Sequence, residues 1–471
     1  MVTYVTAFLD LYEDRSKDKS IDTCFKHFET LLEADIPIVV FLSRKFTNRM
    51  DRINQNNRIK IIPIELEELE TYKETNCNNF PSIRTEHHDT KNFMILMNAK
   101  IEFIKKAMDI VKSTHYAWID FSISHVFRKE SKQFLNMISK SNFKPCLLFP
   151  GCWDKAYNVY NQVCWRFCGG FFMGDVNSLN NMYDLYRKEY RNIIKNSIIW
   201  EVNVWAILER DYGWNPTWYK ADHNDSIIRI PLNNINVVAS LTTIPSRINT
   251  SCKNTIDSLI PQVDHIYLSL AHFYKRFSTK IEIPQYLKEE PYISKVTIVL
   301  GEDKGPATKY LGALDIIKDN TWVFFCDDDQ EYSPNLISRM LQNIDSLSVY
   351  QNRYEVIKEN TSGGFIHGFV GNLVNIECLK NLKTFPLPIY AYHVDDQWMS
   401  IYYFLNNVSI KPSGIENYHD IFKSLCNNHE LIGVDSLFSL GTRNDSIKCL
   451  EDYFQVRFLG GECLKQYSIL L

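Results

Sequence analysis

Trp322-Val-Phe-Phe-Cys326 is a run of five apolar residues, and Asp327-Asp328-Asp329 follows at once. A strand without polar alternation is covered on both faces, so it belongs inside a parallel-type sheet. Parallel neighbours need long, usually helical crossovers, which makes the chain α/β. In open α/β sheets ligands bind in the crevice at the carboxyl ends of the strands, where these three carboxylates stand. Continued alternation turns Asp327 and Asp329 to one side and Asp328 to the other. Converging carboxylates repel unless a cation joins them. A hard divalent ion such as Mn²⁺ or Mg²⁺ takes oxygen ligands and bridges to phosphates. The pattern points to a metal-held nucleoside diphosphate, the metal stabilising charge on the departing diphosphate. The competing reading is an acidic surface turn; three acids directly after so apolar a strand disfavour it.

The same grammar runs along all 471 residues. At roughly 100–200 residues per domain, the length allows two to four domains. Strands are expected at 3–11, 36–42, 116–121 and 146–149, with helices at 21–33, 92–113 and 131–139. Residues 51–90 are charged and less regular. Pro231-Leu-Asn-Asn234 interrupts the pattern, and a fresh strand starts at Asn236. The second half then reads strand 236–243, helix 255–260, strands 263–269 and 295–300, helix 308–318, strand 322–326 and helix 335–346. The landmarks recur in order. Thr6 with Arg15 matches Thr242 and Thr243 with Arg247. Trp118-Ile-Asp120 matches the run into Asp327, Gly169–Gly174 matches Gly368–Gly371, and Trp200-Glu201 matches Asp395-Asp396-Gln-Trp398. Two domains of one fold are expected, 1–230 and 236–471.

The composition excludes several classes. A net charge of −4 argues against a nucleic-acid partner held by a general basic field. No run of 18 apolar residues marks a transmembrane helix. The N-terminus lacks a basic n-region and a long apolar stretch, so no secretory signal is read there. The twelve cysteines form no CxxC or Cys/His ligand set, and reduced thiols in the cytoplasm are expected. Gly169–Gly174 is not a dinucleotide fingerprint, and no phosphate loop, HExxH or nucleophile elbow appears.

Asp327–Asp329 resembles the DxD motif of GT-A fold glycosyltransferases. Ser240-Leu-Thr-Thr-Ile-Pro-Ser-Arg247, Gly305-Pro-Ala-Thr-Lys309-Tyr310, Gly368–Gly371 and Val394–Trp398 resemble further segments of a glycosyltransferase group of large DNA viruses and microbes, over residues 236–445. The resemblance implies an α/β chain of two tandem GT-A-like domains, each a mostly parallel sheet flanked by helices. It implies a nucleotide-sugar donor, held with Mn²⁺ or Mg²⁺ and passed to a hydroxyl on a glycan or glycoprotein acceptor. Thr242, Arg247, Lys309 and Asp327 fall on the donor side, with Lys309 within reach of the diphosphate. Asp327, Asp329 and a late His419 are the implied metal ligands. An acid at a helix start serves as general base in inverting members, which places Asp395 and Asp396. An Asp there is also a good helix cap, so one of the two caps while the other faces the cleft, and Asp396 is the favoured base. If the source is a virus, the location is the host cytoplasm. Nearby Tyr390, Tyr392, Trp398, Tyr402 and Tyr403 either stack on sugars or, at helical spacing, form core.

Residues 1–225 resemble the HtrL/WlaTC-like family of bacterial glycosyltransferase-type proteins. The carrying segments are Val2–Tyr12, Asn98-Ala-Lys100-Ile-Glu-Phe-Ile104, Tyr116–Ser122 and Cys168–Gly174. Lys100 and Asp120 take the places of Lys309 and Asp327, and Glu201 that of the acceptor-side acid. Asp120 is followed by Phe121 and Ser122, so a second carboxylate is missing. One Asp holds a metal poorly without help, and this half is either active with a different phosphate grip or degenerate. The alternatives for the whole chain are a carbohydrate-binding scaffold on degenerate domains and a nucleotidyltransferase. The latter usually has a glycine-rich phosphate loop after its first strand, and Ser240–Arg247 contains no glycine.

Overall fold

Seven strands build the first sheet: β1 (Val2–Phe8), β2 (Ile38–Leu42), β3 (Ile59–Pro63), β4 (His115–Ile119), β5 (Leu147–Gly151), β6 (Phe171–Asp175) and β7 (Thr217–Lys220). The computed structural model describes residues 1–11, 20–50, 57–352, 364–415, 417, 420–424, 437, 441–459 and 462–465. Arg15 and His419 lie outside the described residues. The chain forms two compact units, Met1–Asn234 and Ile235–Leu471. In the first, the strand order is β3-β2-β1-β4-β6-β5-β7. β1 to β4 run parallel, β6 is antiparallel to both neighbours, and β7 is parallel to β5.

The second unit adds β8 (Val237–Thr242), β9 (His265–Ala271), β10 (Val296–Gly301), β11 (Trp322–Phe325), β12 (Gln330–Tyr332), β13 (Val349–Gln351), β14 (Asn372–Asn375), β15 (Ile410–Pro412) and β16 (Phe422–Ser424). Its main sheet runs β10-β9-β8-β11-β14-β13-β15, and β12 pairs with β16. With β12 set aside, this is the order and strand sense of the first sheet. Both sheets are mixed, with helices packed against them, and the fold is α/β as the alternation of segments requires. The central strands are apolar on both faces; every residue of β2 and β11 is buried.

Several elements differ from the sequence expectation. The single helix at 92–113 is two, Lys91–Asn98 and Lys100–Ile110. The Asn98 amide donates to Met94 O at 2.7 Å and to Ile199 O at 2.8 Å. Such side-chain bonds to the preceding turn compete with helix continuation. The irregular 51–90 stretch contributes edge strand β3, which is only half-buried. The helix expected over 308–318 runs only from Thr308 to Leu311; Gly312, a poor helix former, follows it. The helix at 335–346 is likewise short, Leu336–Leu341. Among the described residues, no helix is long and apolar enough to cross a membrane.

Candidate active site

In the second unit the chain leaves β11 through buried Cys326, and Asp327 emerges at the carboxyl end of the strand. Lys309 reaches it from the short helix Thr308–Leu311. Its Nζ lies 2.6 Å from Asp327 Oδ1 and 2.8 Å from Asp395 Oδ2. The lysine side chain is only 2% exposed. Burial by itself lowers a lysine pKa, but Asp327 and Asp395 outweigh it and hold Lys309 well above its ordinary value. Buried ion pairs of this kind cost about 3–5 kcal/mol when one partner is removed. Lys309 is thus a clasp between the strand end and the helix Asp395–Leu405.

That helix corrects the capping expectation. Its N-cap position is Val394, and neither aspartate caps it; Asp395 and Asp396 both sit in the first turn. There the helix dipole favours negative charge. Asp395 faces the lysine, and Asp396 Oδ1 accepts the Gly368 N–H at 3.0 Å. Burial first, then the neighbouring Asp395, pushes the Asp396 carboxyl up to about 7.

The alternation expected along the three aspartates does not hold. The strand ends at Phe325 and the chain bends at Asp328 and Asp329. Arg247 Nη1 donates to Asp328 Oδ1 at 2.9 Å and to Asp329 Oδ2 at 3.2 Å, so these two share one guanidinium. Thr243 Oγ1 donates to Asp328 Oδ2 at 2.5 Å. Asp327 alone turns to Lys309. Burial, then Asp328 and Asp327, raises the Asp329 carboxyl to about 6.

A cleft of about 320 Å³ opens here, lined by Thr242, Arg247, Asp327, Asp328, Asp329, Asp395 and Asp396 among others. Thr242 is turned into the sheet, its hydroxyl donating to Ser269 O at 2.7 Å. Lys309 lies beneath and does not line the cleft. Among the described residues no group of three or more His, Cys, Asp or Glu side chains is arranged to hold a metal. The donor set nevertheless fits a hard divalent cation, since Asp327, Asp328 and Asp329 offer carboxylate oxygens at one strand end.

Sequence reasoning missed Asp303, Arg276, Tyr274 and Arg443, which also line the cleft. Asp303 accepts from Tyr392 Oη at 2.9 Å and from the Gly305 N–H at 2.9 Å. Its signal was the Asp two residues before a glycine with φ +60°, a turn that favours glycine. Arg443 carries no local signal, because only the fold brings it to the cleft. Of the aromatic residues, Trp398, Tyr402 and Tyr403 are core at 0–1% exposure. Tyr392 lines the cleft.

The first unit repeats the clasp. Lys100 Nζ lies 3.2 Å from Asp120 Oδ1 and 2.9 Å from Glu201 Oε1, and donates to Gly169 O at 2.8 Å. Its side chain is also 2% exposed. Burial is again outweighed, here by Asp120 and Glu201, and the lysine pKa is raised. Trp118 Nε1 donates to Asp120 Oδ1 at 2.8 Å. The adjoining cleft, about 570 Å³, is mostly apolar, with Asp120, His27, His88 and His125 at its wall.

Residues 1–209 match a family described as a bacterial protein of unknown function (HtrL_YibB). No curated protein sequence matches the chain. Similar solved structures include glucosyl-3-phosphoglycerate synthase from Mycobacterium tuberculosis in complex with Mn²⁺, UDP-glucose and phosphoglyceric acid. It is 11% identical, covers 45% of this chain and 80% of its own, and has a TM-score of 0.28. A glycosyltransferase involved in glycosylation of the major capsid of PBCV-1 is 12% identical, with 47% and 82% covered and a TM-score of 0.25. The 4-diphosphocytidyl-2C-methyl-D-erythritol synthase of Anaerococcus prevotii is 9% identical, with 46% and 96% covered and a TM-score of 0.29.

Proposed function

We propose that the second unit is a GT-A-like glycosyltransferase that moves a sugar from a nucleoside-diphosphate donor to an acceptor hydroxyl. One observation carries this reading: the strand-end aspartates, Arg247 and the first-turn Asp396 converge on one cleft at the carboxyl ends of β8 and β11. Asp327 and Asp329 are the residues that would hold Mn²⁺ or Mg²⁺, which when bound supplies positive charge against the leaving diphosphate. His419, outside the described residues, is kept as a proposed third ligand. Thr242 and Arg247 stand on the donor side, as do Arg276 and Arg443. Asp396 is the general base: a carboxylate held near neutrality accepts a hydroxyl proton more effectively than an ordinary one. Asp395 holds the lysine clasp.

The first unit is read as a related domain without this chemistry. Where the second unit has Asp328, Asp329 and Asp396, the first has Phe121, Ser122 and Val202. Asp120 and Lys100 therefore serve the framework of a binding or scaffolding domain. The acceptor is a glycan or glycoprotein.

The test is release of nucleoside diphosphate from a panel of sugar nucleotides with Mn²⁺, Mg²⁺ or EDTA. Metal-dependent release that survives Asp120→Ala and disappears in Asp327→Ala/Asp329→Ala is expected. Release that survives the double substitution refutes the site; release lost in Asp120→Ala alone moves the chemistry to the first unit.

A further inference from the structure

The two units permit a subtraction. Each has a lysine with a 2% exposed side chain, a strand-end aspartate and an acid in the first position of a helix. Only the second adds carboxylates at the next two strand-end positions and at the second helix position. The clasp therefore persists where the second metal carboxylate and the base are absent. A device that gripped the donor's diphosphate would have no reason to be built the same way there. Its geometry agrees. Both lysines are engaged by fixed acceptors: Lys100 by Asp120, Glu201 and the Gly169 carbonyl, and Lys309 by Asp327 and Asp395. A Cβ on Gly368 would lie only 2.6 Å from Lys309 Nζ, so backbone closes over the ammonium. The cations at the cleft wall are Arg247, Arg276 and Arg443.

We infer that Lys309 is a positioning residue that ties Asp327 to Asp395, so that Asp396 faces the cleft, and that it does not bind the donor diphosphate. This deepens the proposed function and rests on it. Turning the helix start by even 1 Å misplaces the base, and such errors cost about 100-fold in rate. The metal-independent part of donor affinity, set by Arg247, Arg276 and Arg443 at the wall, is left alone.

The experiment compares wild type, Lys309→Met, Lys309→Met/Asp395→Asn and Arg276→Ala. UDP affinity is measured calorimetrically in EDTA as well as with Mn²⁺, because Asp327 belongs to both the clasp and the proposed metal site, and the EDTA value decides whether Lys309 touches the diphosphate; kcat and KM are measured with the donor found active. In Lys309→Met, UDP affinity in EDTA within threefold of wild type is expected, with kcat reduced at least tenfold. The double variant removes the stranded buried charge, so it restores melting temperature but not kcat, and it gives the same comparison if the single variant unfolds. Arg276→Ala is expected to weaken UDP at least tenfold. A folded lysine variant whose UDP affinity in EDTA falls tenfold or more overturns the inference alone, and so does one with wild-type kcat. A wild type that neither binds UDP nor releases it from any donor overturns the proposed function and this inference with it.

Discussion

Gly368→Ala tests the packing of the site with a single methyl group. The glycine N–H donates to Asp396 Oδ1 at 3.0 Å. A Cβ there would stand 2.6 Å from Lys309 Nζ, 2.9 Å from Asp396 Oδ1 and 3.0 Å from Asp327 Oδ1. Comfortable contact begins at about 3.5 Å, so the lysine must retreat by roughly 0.9 Å. It cannot do so freely, because its ammonium is held at 2.6 and 2.8 Å by two carboxylates. Overpacking costs about 1–3 kcal/mol. For a unit of this size, each kcal/mol lowers the melting temperature by about 2–4 °C, giving a fall of roughly 2–12 °C. The displaced Asp396 lowers turnover by up to about 100-fold. Gly301→Ala is the control, since its Cβ would meet nothing within 4 Å. Scanning calorimetry and diphosphate release are the assays. If Gly368→Ala melts within 1 °C of Gly301→Ala and keeps wild-type turnover, the clasp is not as tightly closed as the distances state.

Asp396→Asn is expected to abolish turnover and raise the melting temperature at pH 8. The folded state holds this carboxyl at about 7 through burial and Asp395. Its ionisation therefore costs stability progressively from the unfolded carboxylate range up to pH 7, a penalty the amide lacks and that vanishes near pH 3. In wild type, kcat/KM should rise with pH through about 7 as the base ionises. In the first unit, burial lowers the pKa of His115, whose Nε2 lies 3.2 Å from Lys144 O. A depressed histidine takes up its proton more readily when unfolded, so stability is lost as pH falls below about 6.5; His115→Gln should flatten that acid limb. Saturating Mn²⁺ with UDP, at about 100 times the dissociation constant, is expected to stabilise the second unit by about 2.7 kcal/mol. Asp327→Ala/Asp329→Ala should remove this shift, and a shift that persists places the ion elsewhere.

The α/β class and the strand-end position of Asp120 and Asp327 were legible because apolar runs that end in charge report a buried strand meeting a crevice. That a helix starts near Asp395 and Asp396 was legible from helical spacing, but that both lie in its first turn was not, since one was read as the cap. Nor were their roles. An aspartate at a helix start reads as a cap until tertiary packing shows Lys309 arriving from another segment. The orientation of Asp327–Asp329 was misread for the same reason: alternation applies only while the backbone stays extended, and Arg247 gathers Asp328 and Asp329 after it bends. The break at Ala99 was hidden because Met94, Met97, Ile101 and Ile104 keep helical spacing across it. Arg276 and Arg443 had no local pattern, since a cleft wall assembled from distant loops leaves none.

The repeated clasp explains why one fold can carry two different clefts. In the first unit Lys100 meets Asp120 and Glu201, and the remaining wall is largely apolar. In the second, the same lysine position is satisfied by Asp327 and Asp395, yet Asp303, Asp328, Asp329 and Asp396 crowd the same wall. Arg247 answers part of that charge, and the carboxyls of Asp329 and Asp396 answer the rest by being pushed up to about 6 and 7. Raised carboxyls in a cleft are costly to stability and cluster where chemistry needs them. The framework lysine makes the excess tolerable by neutralising the two acids nearest the core. Asp303, Asp328, Asp329 and Asp396 remain as a surplus, which the proposed cation on Asp327 and Asp329 and the proposed proton transfer to Asp396 would reduce.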